Sequence, residues 1–334
     1  MKSFAFLAVA ALAALPARAC LNDRDSDSLA TQAAQLPETL RVITGRFERN
    51  PPLYYQMRIA RERGALAATP RQFNLYDDIA VALDKLGRDD DALQTIARKR
   101  ALLPAFDPSD KSNRENWYRT FANAGTFRAH RFLKAGAPTQ RLGEMKTARA
   151  QIKRAIEIKP DAHFGRERYQ LMAMDWIIAR KSKKTQKTLG EWIGGRDGWK
   201  DLWPGEVDSN RKRAVEGLSG MIVLGGAWEN PDVFESLGAA LETKDGVTLR
   251  FLSLMRAQEL LKNGAISLGE LTLQSPQISH EAGELYDYGV GVNDLNQGDV
   301  AAAFVGLRDE AESWNVARQT WMTNKLKTSR LRSK

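Results

Sequence analysis

The sequence predicts an all-α protein, and two observations carry that expectation. Apolar residues recur at steps of three and four along most of the chain, which marks one face of a helix. Prolines and glycines stand mainly at the ends of those stretches, where they start or stop helices. Composition agrees with a folded chain: 334 residues, 27% charged and 8% aromatic, is neither disordered nor collagenous. One cysteine excludes an intramolecular disulfide and any multi-cysteine metal site, and three histidines leave little for a His-rich one. The formal net charge of +9 favours anionic surroundings without bearing on fold.

The first residues read as an export signal. Lys2 supplies a positive start, Phe4 to Leu15 is an apolar run bounded by Pro16, and Ala17-Arg18-Ala19 is a small-x-small cleavage site. The run is too short to span a bilayer. Cleavage after Ala19 makes Cys20 the first mature residue. Three readings follow: a lipid attachment at Cys20, which Arg18 fits poorly; a thiol nucleophile, which has no supporting base nearby; or a free or partner-paired thiol. No other apolar stretch reaches spanning length.

Residues 26–48 suggest one or two short helices broken at Pro37. Pro51-Pro52 starts a helix to about Leu66, since Pro suits a first helical turn. From Phe73 to Leu86, Tyr76, Ile79, Ala80 and Leu83 form an apolar face. Gly87 stops that helix, and Asp89, Asp90 and Asp91 suit the positive end of the next. Ala92, Leu93 and Ile96 follow, before Pro104. A longer helix is expected over 116–134, with Trp117, Phe121, Ala124 and Phe132. The segment Ala148 to Pro160, with Ile152, Ala155 and Ile158 on one face, reads as its partner. A further helix fits 163–179 on Tyr169, Met172, Ala173, Trp176 and Ile177.

The unit from 73 to 104 resembles a tetratricopeptide repeat, whose pattern is W-x2-L-G-x2-Y, then A-x3-F, then P. Tyr76, Ile79, Ala80 and Leu83 stand in the first-helix places, Ala92 and Ile96 in the second, and Pro104 at the close. Small Ala80 and Ala92 let the two helices approach closely. Ala148, Ile152 and Pro160 repeat the second-helix spacing. The interval between the two prolines exceeds the family period of about 34 residues, so the pattern departs by insertion. The resemblance covers about 52–180. It implies stacked helical hairpins, an α-solenoid, with one continuous core. Helices over 211–226, 231–243 and 247–263 continue the helical pattern without the repeat signature. A long helix over 300–326 carries Val300, Phe304, Leu307, Ala311, Trp314, Ala317 and Trp321, and no acid follows Glu312.

These elements divide the chain into a signal (1–19), a repeat region (20–180), a connection (181–210) and a second helical region (211–334). The connection is basic at Arg180, Lys181, Lys183, Lys184 and Lys187. It is expected to break helices at Gly194-Gly195 and Trp203-Pro204-Gly205. Its tryptophans, Trp192, Trp199 and Trp203, either pin a loop or stack on a ligand.

Catalytic signatures fail. His280-Glu281 starts an H-E-x-x-H zinc motif, but Glu284 occupies the second histidine's place. His130 and His163 read as surface or packing residues. Asp23, Asp25 and Asp27 alternate as in a calcium loop, but its glycine and distal glutamate are missing. Gly289-Val290-Gly291 lacks a third glycine, and no G-x4-G-K-[ST] or G-x-S-x-G occurs. No cofactor, no metal and no catalytic residue is expected.

The resemblance directs attention to the first helix of the repeat, because such helices line the concave face in the family and bind peptides. The groove candidates are Asn74, Asp77, Asp84 and Lys85. Asp77, Asp78 and Asp84 would oppose a peptide carboxylate, so a neutral or basic peptide is expected. The function expected is that of an exported, periplasmic or extracellular scaffold for a protein or peptide partner. Two alternatives are a lipid-anchored envelope protein attached through Cys20 and its basic segments, and an enzyme with an unrecognised site. An anionic envelope surface is a second partner class, through residues 180–187 or the C-terminal helix. That helix otherwise caps the array. Nucleic acid is not expected of an exported protein.

Overall fold

A computed structural model describes residues 38–160, 162–199, 209–243, 246–271 and 297–332. The protein is all-α. Twelve α-helices and no β-strand occur among the described residues. In chain order they are α1 (Thr39–Thr44), α2 (Pro52–Ala68), α3 (Phe73–Lys85), α4 (Asp89–Leu102), α5 (Lys111–Lys134), α6 (Leu142–Ile158), α7 (Arg166–Lys181), α8 (Leu189–Asp197), α9 (Ser209–Val223), α10 (Pro231–Ala240), α11 (Val247–Lys262) and α12 (Gln297–Arg332).

From α2 to α7 each helix packs on the next, and α3 also touches α5. The expected boundaries hold closely at α2, α3 and α4. Pro52 occupies the first turn of α2. Asp89, Asp90 and Asp91 fill the first turn of α4, with Lys99 and Arg100 in its last. The α5 helix starts earlier than the apolar pattern suggests, because Asp110 caps it by accepting from the Ser112 and Asn113 amides.

The repeat-packing residues are almost all inside. Ile79, Ala80, Leu83, Ala92 and Ile96 form one apolar cluster with Ile59, Ala124 and Phe127. Ala148 and Ile152 belong to the larger core. Tyr76 is buried and donates its hydroxyl to the Pro70 carbonyl at 3.0 Å. Pro104 and Pro160 lie just beyond α4 and α6, and the Pro104 carbonyl accepts from Trp117 Nε1 at 3.0 Å.

The zone expected as a connection is a correction. It contains α8, which packs on α7 and α10, and Leu189 and Ile193 lie in the larger core. Thr188 and Glu191 close a capping box at its start. Gly194 does not break the helix; it makes room. A Cβ there would sit 1.8 Å from Trp199 Nε1. The larger core joins residues from Val42 to Phe304, so it runs straight across 181–210. The tryptophans pin their own surroundings: Trp199 is buried, and Trp192 donates to the Met172 carbonyl at 3.1 Å. Trp203 lies outside the described residues.

The α12 helix is 36 residues long and reaches α1, α2 and α11. Phe304, Ala311 and Asn315 are buried. Its side chains clasp the segment after α1: Arg308 donates to the Thr44 carbonyl (2.6 Å), Asn315 to that of Gly45 (2.8 Å) and Arg318 to that of Arg49 (3.3 Å). Past Asn315 no described side chain is buried, and Trp321 is 59% exposed. No helix among the described residues is long and apolar enough to cross a membrane.

Candidate functional site

A seam of buried polar side chains runs across α3, α5 and α7. Asp77 of α3 binds Lys99 of α4 at 2.6 Å and accepts from Asn123 of α5 at 3.3 Å. Asp78 binds Arg58 of α2 at 2.8 Å. Asp84 meets Nδ1 of His130 on α5 at 2.6 Å. On the far side of α5, Tyr118 donates to Glu167 of α7 at 2.8 Å, and Gln170 Nε2 donates to Thr126 at 3.0 Å. Every one of these contacts joins two helices, so the seam holds their register as well as satisfying buried groups.

Two of the groove candidates therefore require correction. Asp77 and Asp84 are fully buried and matched with cations, so they do not stand on a solvated face. The reason is neighbours: α2 and α5 cover the side of α3 that the apolar period leaves polar. The charge argument for a neutral or basic peptide falls with them. Asn74 and Lys85 are half-buried. Of the two readings of His130, surface or packing, the packing one holds: it is a fully buried partner of Asp84.

Desolvation dominates the electrostatics. Burial raises the Asp77 carboxyl and lowers the Lys99 ammonium, and their mutual attraction only partly offsets this. Burial, helped by the Glu167 charge, pushes the Tyr118 phenol well above its ordinary value, so it stays a donor. Burial also opposes ionisation of Asp84. The electrostatic attraction and hydrogen bond of His130 outweigh it, with Lys134 and Lys85 adding, and hold that carboxyl at about 2. Nearby Asp89 is pushed up to about 6 by burial and by the Asp84 charge, against its bond from Lys134.

Asp84, Asp89 and His130 bring one ligand atom each within 4.8 Å of one another, a donor set of metal-ligating type. Lys134 already occupies Asp89. Both carboxylates already have a nitrogen partner, Asp89 in Lys134 and Asp84 in His130. The cluster is better read as an ion-paired knot. Sequence reasoning missed it because its members come from α3, α4 and α5.

Two concavities flank the 226–229 turn and share Glu229 in their walls. The first, about 300 Å³, is polar. Glu48, Arg49, Asn50, Tyr55 and Lys85 line it, with Trp228 at its back. Arg49 pairs with Glu312 at 3.2 Å, and burial lowers its guanidinium below the ordinary value. The Trp228 ring is held by Phe47 edge-on at 5.3 Å and by the Arg256 guanidinium at 3.9 Å over its face. Lys85, a groove candidate, thus lies at a concave surface.

The second cavity, about 220 Å³, is mostly apolar. Met145, Met174, Trp176, Ile177 and Met221 line it, from α6, α7 and α9. Residues 264–268 form one wall. That wall is anchored by fully buried Asp232, which accepts from Ser267 Oγ (2.5 Å) and from the amides of Leu268 (2.8 Å) and Gly269 (3.1 Å). Burial raises the Asp232 carboxyl despite these bonds.

Cys20, His280-Glu281, Asp23, Asp25, Asp27 and Gly289-Val290-Gly291 lie outside the described residues, as does the His163 side chain. Fold and site define an all-α protein with a buried polar seam and two adjacent concavities. Comparison with family models, with curated proteins and with solved structures finds no match.

Proposed function

We propose that the protein is a binding module without chemistry of its own, an exported helical array of the tetratricopeptide type that recognises a protein or peptide segment. The polar concavity carries the reading. Lys85 from the first helix of the repeat-like unit, Arg49 and Asn50 converge there on a rigid wall made by Trp228 and its aromatic neighbours. Lysine, arginine and asparagine together suit an acidic side chain or a terminal carboxylate. Asp77, Asp78 and Asp84 no longer oppose such a group, because each is already matched with a buried cation or with His130. The preference is therefore for an acidic or carboxylate-ended segment, with Glu48 and Glu229 limiting how much negative charge is accepted.

A random dodecapeptide library selected on the immobilised full chain tests this, with fluorescence polarisation on synthetic peptides as readout. Enriched peptides with a shared acidic or C-terminal motif are expected. Lys85→Ala should weaken them at least about tenfold, the range of one charged contact, with circular dichroism unchanged. No enrichment over the Lys85→Ala bait, or equal affinity for both, sinks the reading.

A further inference from the structure

The two halves of α12 differ. The first is the clasp: Phe304, Ala311 and Asn315 are buried, and Arg308 and Asn315 hold the carbonyls of Thr44 and Gly45. The second runs on from Asn315 to Arg332, about 25 Å of helix at about 1.5 Å per residue. Two stripes follow it. Arg318, Met322 and Leu326 are half-buried, whereas Ala317, Trp321 and Lys325, each one position earlier, are exposed. A lone exposed tryptophan is ordinary; the charge around this one is not.

From Ser313 to the last residue the chain carries six cations, Arg318, Lys325, Lys327, Arg330, Arg332 and Lys334, and no acid. Among the described residues, Arg318 with Glu48 is the last ion pair along α12. The Lys325 ammonium lies instead over the Trp321 ring, 4.9 Å from its centre. Cations in the last turn of a helix complement its negative end, but that benefit fades within one turn. Lys325 and Lys327 stand before that turn, and a step of two residues sets them about 200° apart around the helix. Cations so spread suit a fluid layer of anionic headgroups, which can gather around each of them, better than the fixed carboxylates of a folded partner. An indole, apolar in body with one N–H donor, favours the boundary between hydrocarbon and water. We propose that the distal half of α12 docks the protein on an anionic phospholipid surface, with Trp321 entering the headgroup boundary and Lys325 and Lys327 meeting lipid phosphates. No α12 residue lines the peptide concavity, so either surface can fail without the other.

Co-sedimentation of the full chain with vesicles tests this. One set is phosphatidylcholine alone, and the other is equal parts phosphatidylcholine and phosphatidylglycerol. Binding to the anionic set is expected to be at least about tenfold tighter, and to weaken as salt screens it. Lys325→Gln with Lys327→Gln should weaken it at least about tenfold. Trp321→Ala should weaken it too, and reduce the blue shift of tryptophan emission that binding brings. Lys183→Gln with Lys184→Gln removes the same charge from another exposed basic stretch and should leave the affinity near that of the parent. All these side chains are exposed, so circular dichroism should not change. No binding to the anionic vesicles at low salt, or equal binding to both sets, overturns the proposal. So does an equal loss in the Lys183 and Lys184 variant, which would make the contact general to the protein's positive charge. Unchanged affinity in Trp321→Ala would mean a polyanion contact without a lipid boundary, and overturns it as well.

Discussion

On one flank of α3, Ile79, Ala80 and Leu83 pack against Ala92 and Ile96; around the rest of its girth, Asp77, Asp78 and Asp84 each reach a different helix. Both flanks are equally buried, and α3 is inaccessible from Leu75 to Asp84 without a break. They are held in different ways. The apolar flank gains from area removed from water, is tolerant of small shape changes, and loses stability in proportion to what is deleted. The ionic flank gains little net energy from intact pairs, because desolvation nearly offsets their attraction, but it is intolerant of losing one member. A helix can thus be equally inside on all sides and be unequally robust to substitution.

The largest expected effect breaks the ionic flank. Lys99→Met leaves the Asp77 carboxylate buried with the Asn123 amide bonded to it and the Arg119 charge farther off, and should destabilise the protein by about 3–5 kcal/mol. The double variant Asp77→Leu with Lys99→Met should recover most of that in chemical denaturation. A double variant no more stable than Lys99→Met would show that the net attraction of the intact pair, rather than the stranded charge, was decisive. A smaller effect is expected on an apolar interface of the same type. Gly125 of α5 faces α6, where an added Cβ would lie 2.8 Å from Ile152 Cγ1 and 2.9 Å from the Ala148 carbonyl oxygen. Gly125→Ala should lower stability by about 1–3 kcal/mol through overpacking. A neutral or stabilising result would mean the two helices part easily.

The smallest effect is a pH dependence at the edge of the seam. Asp89 titrates at about 6 when folded, against 3.8 ordinarily. Its contribution is therefore present below about pH 4 and is lost as pH rises through about 6. Asp84, held at about 2, runs oppositely: its contribution is present above about pH 4 and is lost as pH falls through about 2. Of these two carboxyls, Asp89 is the one whose change falls between pH 4 and 7, and Lys134, Asp84 and His130 are the groups facing it. The melting temperature of the parent should fall relative to Asp89→Asn by about 2–4 °C over that interval. Parallel curves would place the proton elsewhere.

Much of the apolar flank was legible in the sequence. Spacing marks Tyr76, Ile79, Ala80 and Leu83, Gly87 marks the stop, and the three aspartates mark the restart. These are local signals, and local signals survive folding. The ionic flank was not legible, because whether Asp77 faces water depends on α2 and α5 arriving beside it. Nor was α8, since Gly194 is a helix breaker only until the indole of Trp199 needs its space. Of the groove candidates Asp77 and Asp84 went inside and Lys85 stayed at a concave surface, and the partners that define that surface, Arg49, Asn50 and Trp228, come from other stretches of the chain. Gln170 carried no sequence signal at all: a glutamine in a helix is ordinary until the helices around it close.

The clasp made by α12 has a consequence for how the chain is born. Arg308, Asn315 and Arg318 seize carbonyls of residues 44–49 across sequence separations of 264 to 270. Contacts so remote in sequence form late, because the intervening chain must order first. During synthesis the helices from α2 onward can fold as they emerge, whereas the carbonyls of Thr44, Gly45 and Arg49 wait for side chains more than 250 positions away. A nascent chain stalled before Arg308 would thus hold a nearly complete helical body with its first turn still unlatched, and that seam would be the natural foothold for a chaperone.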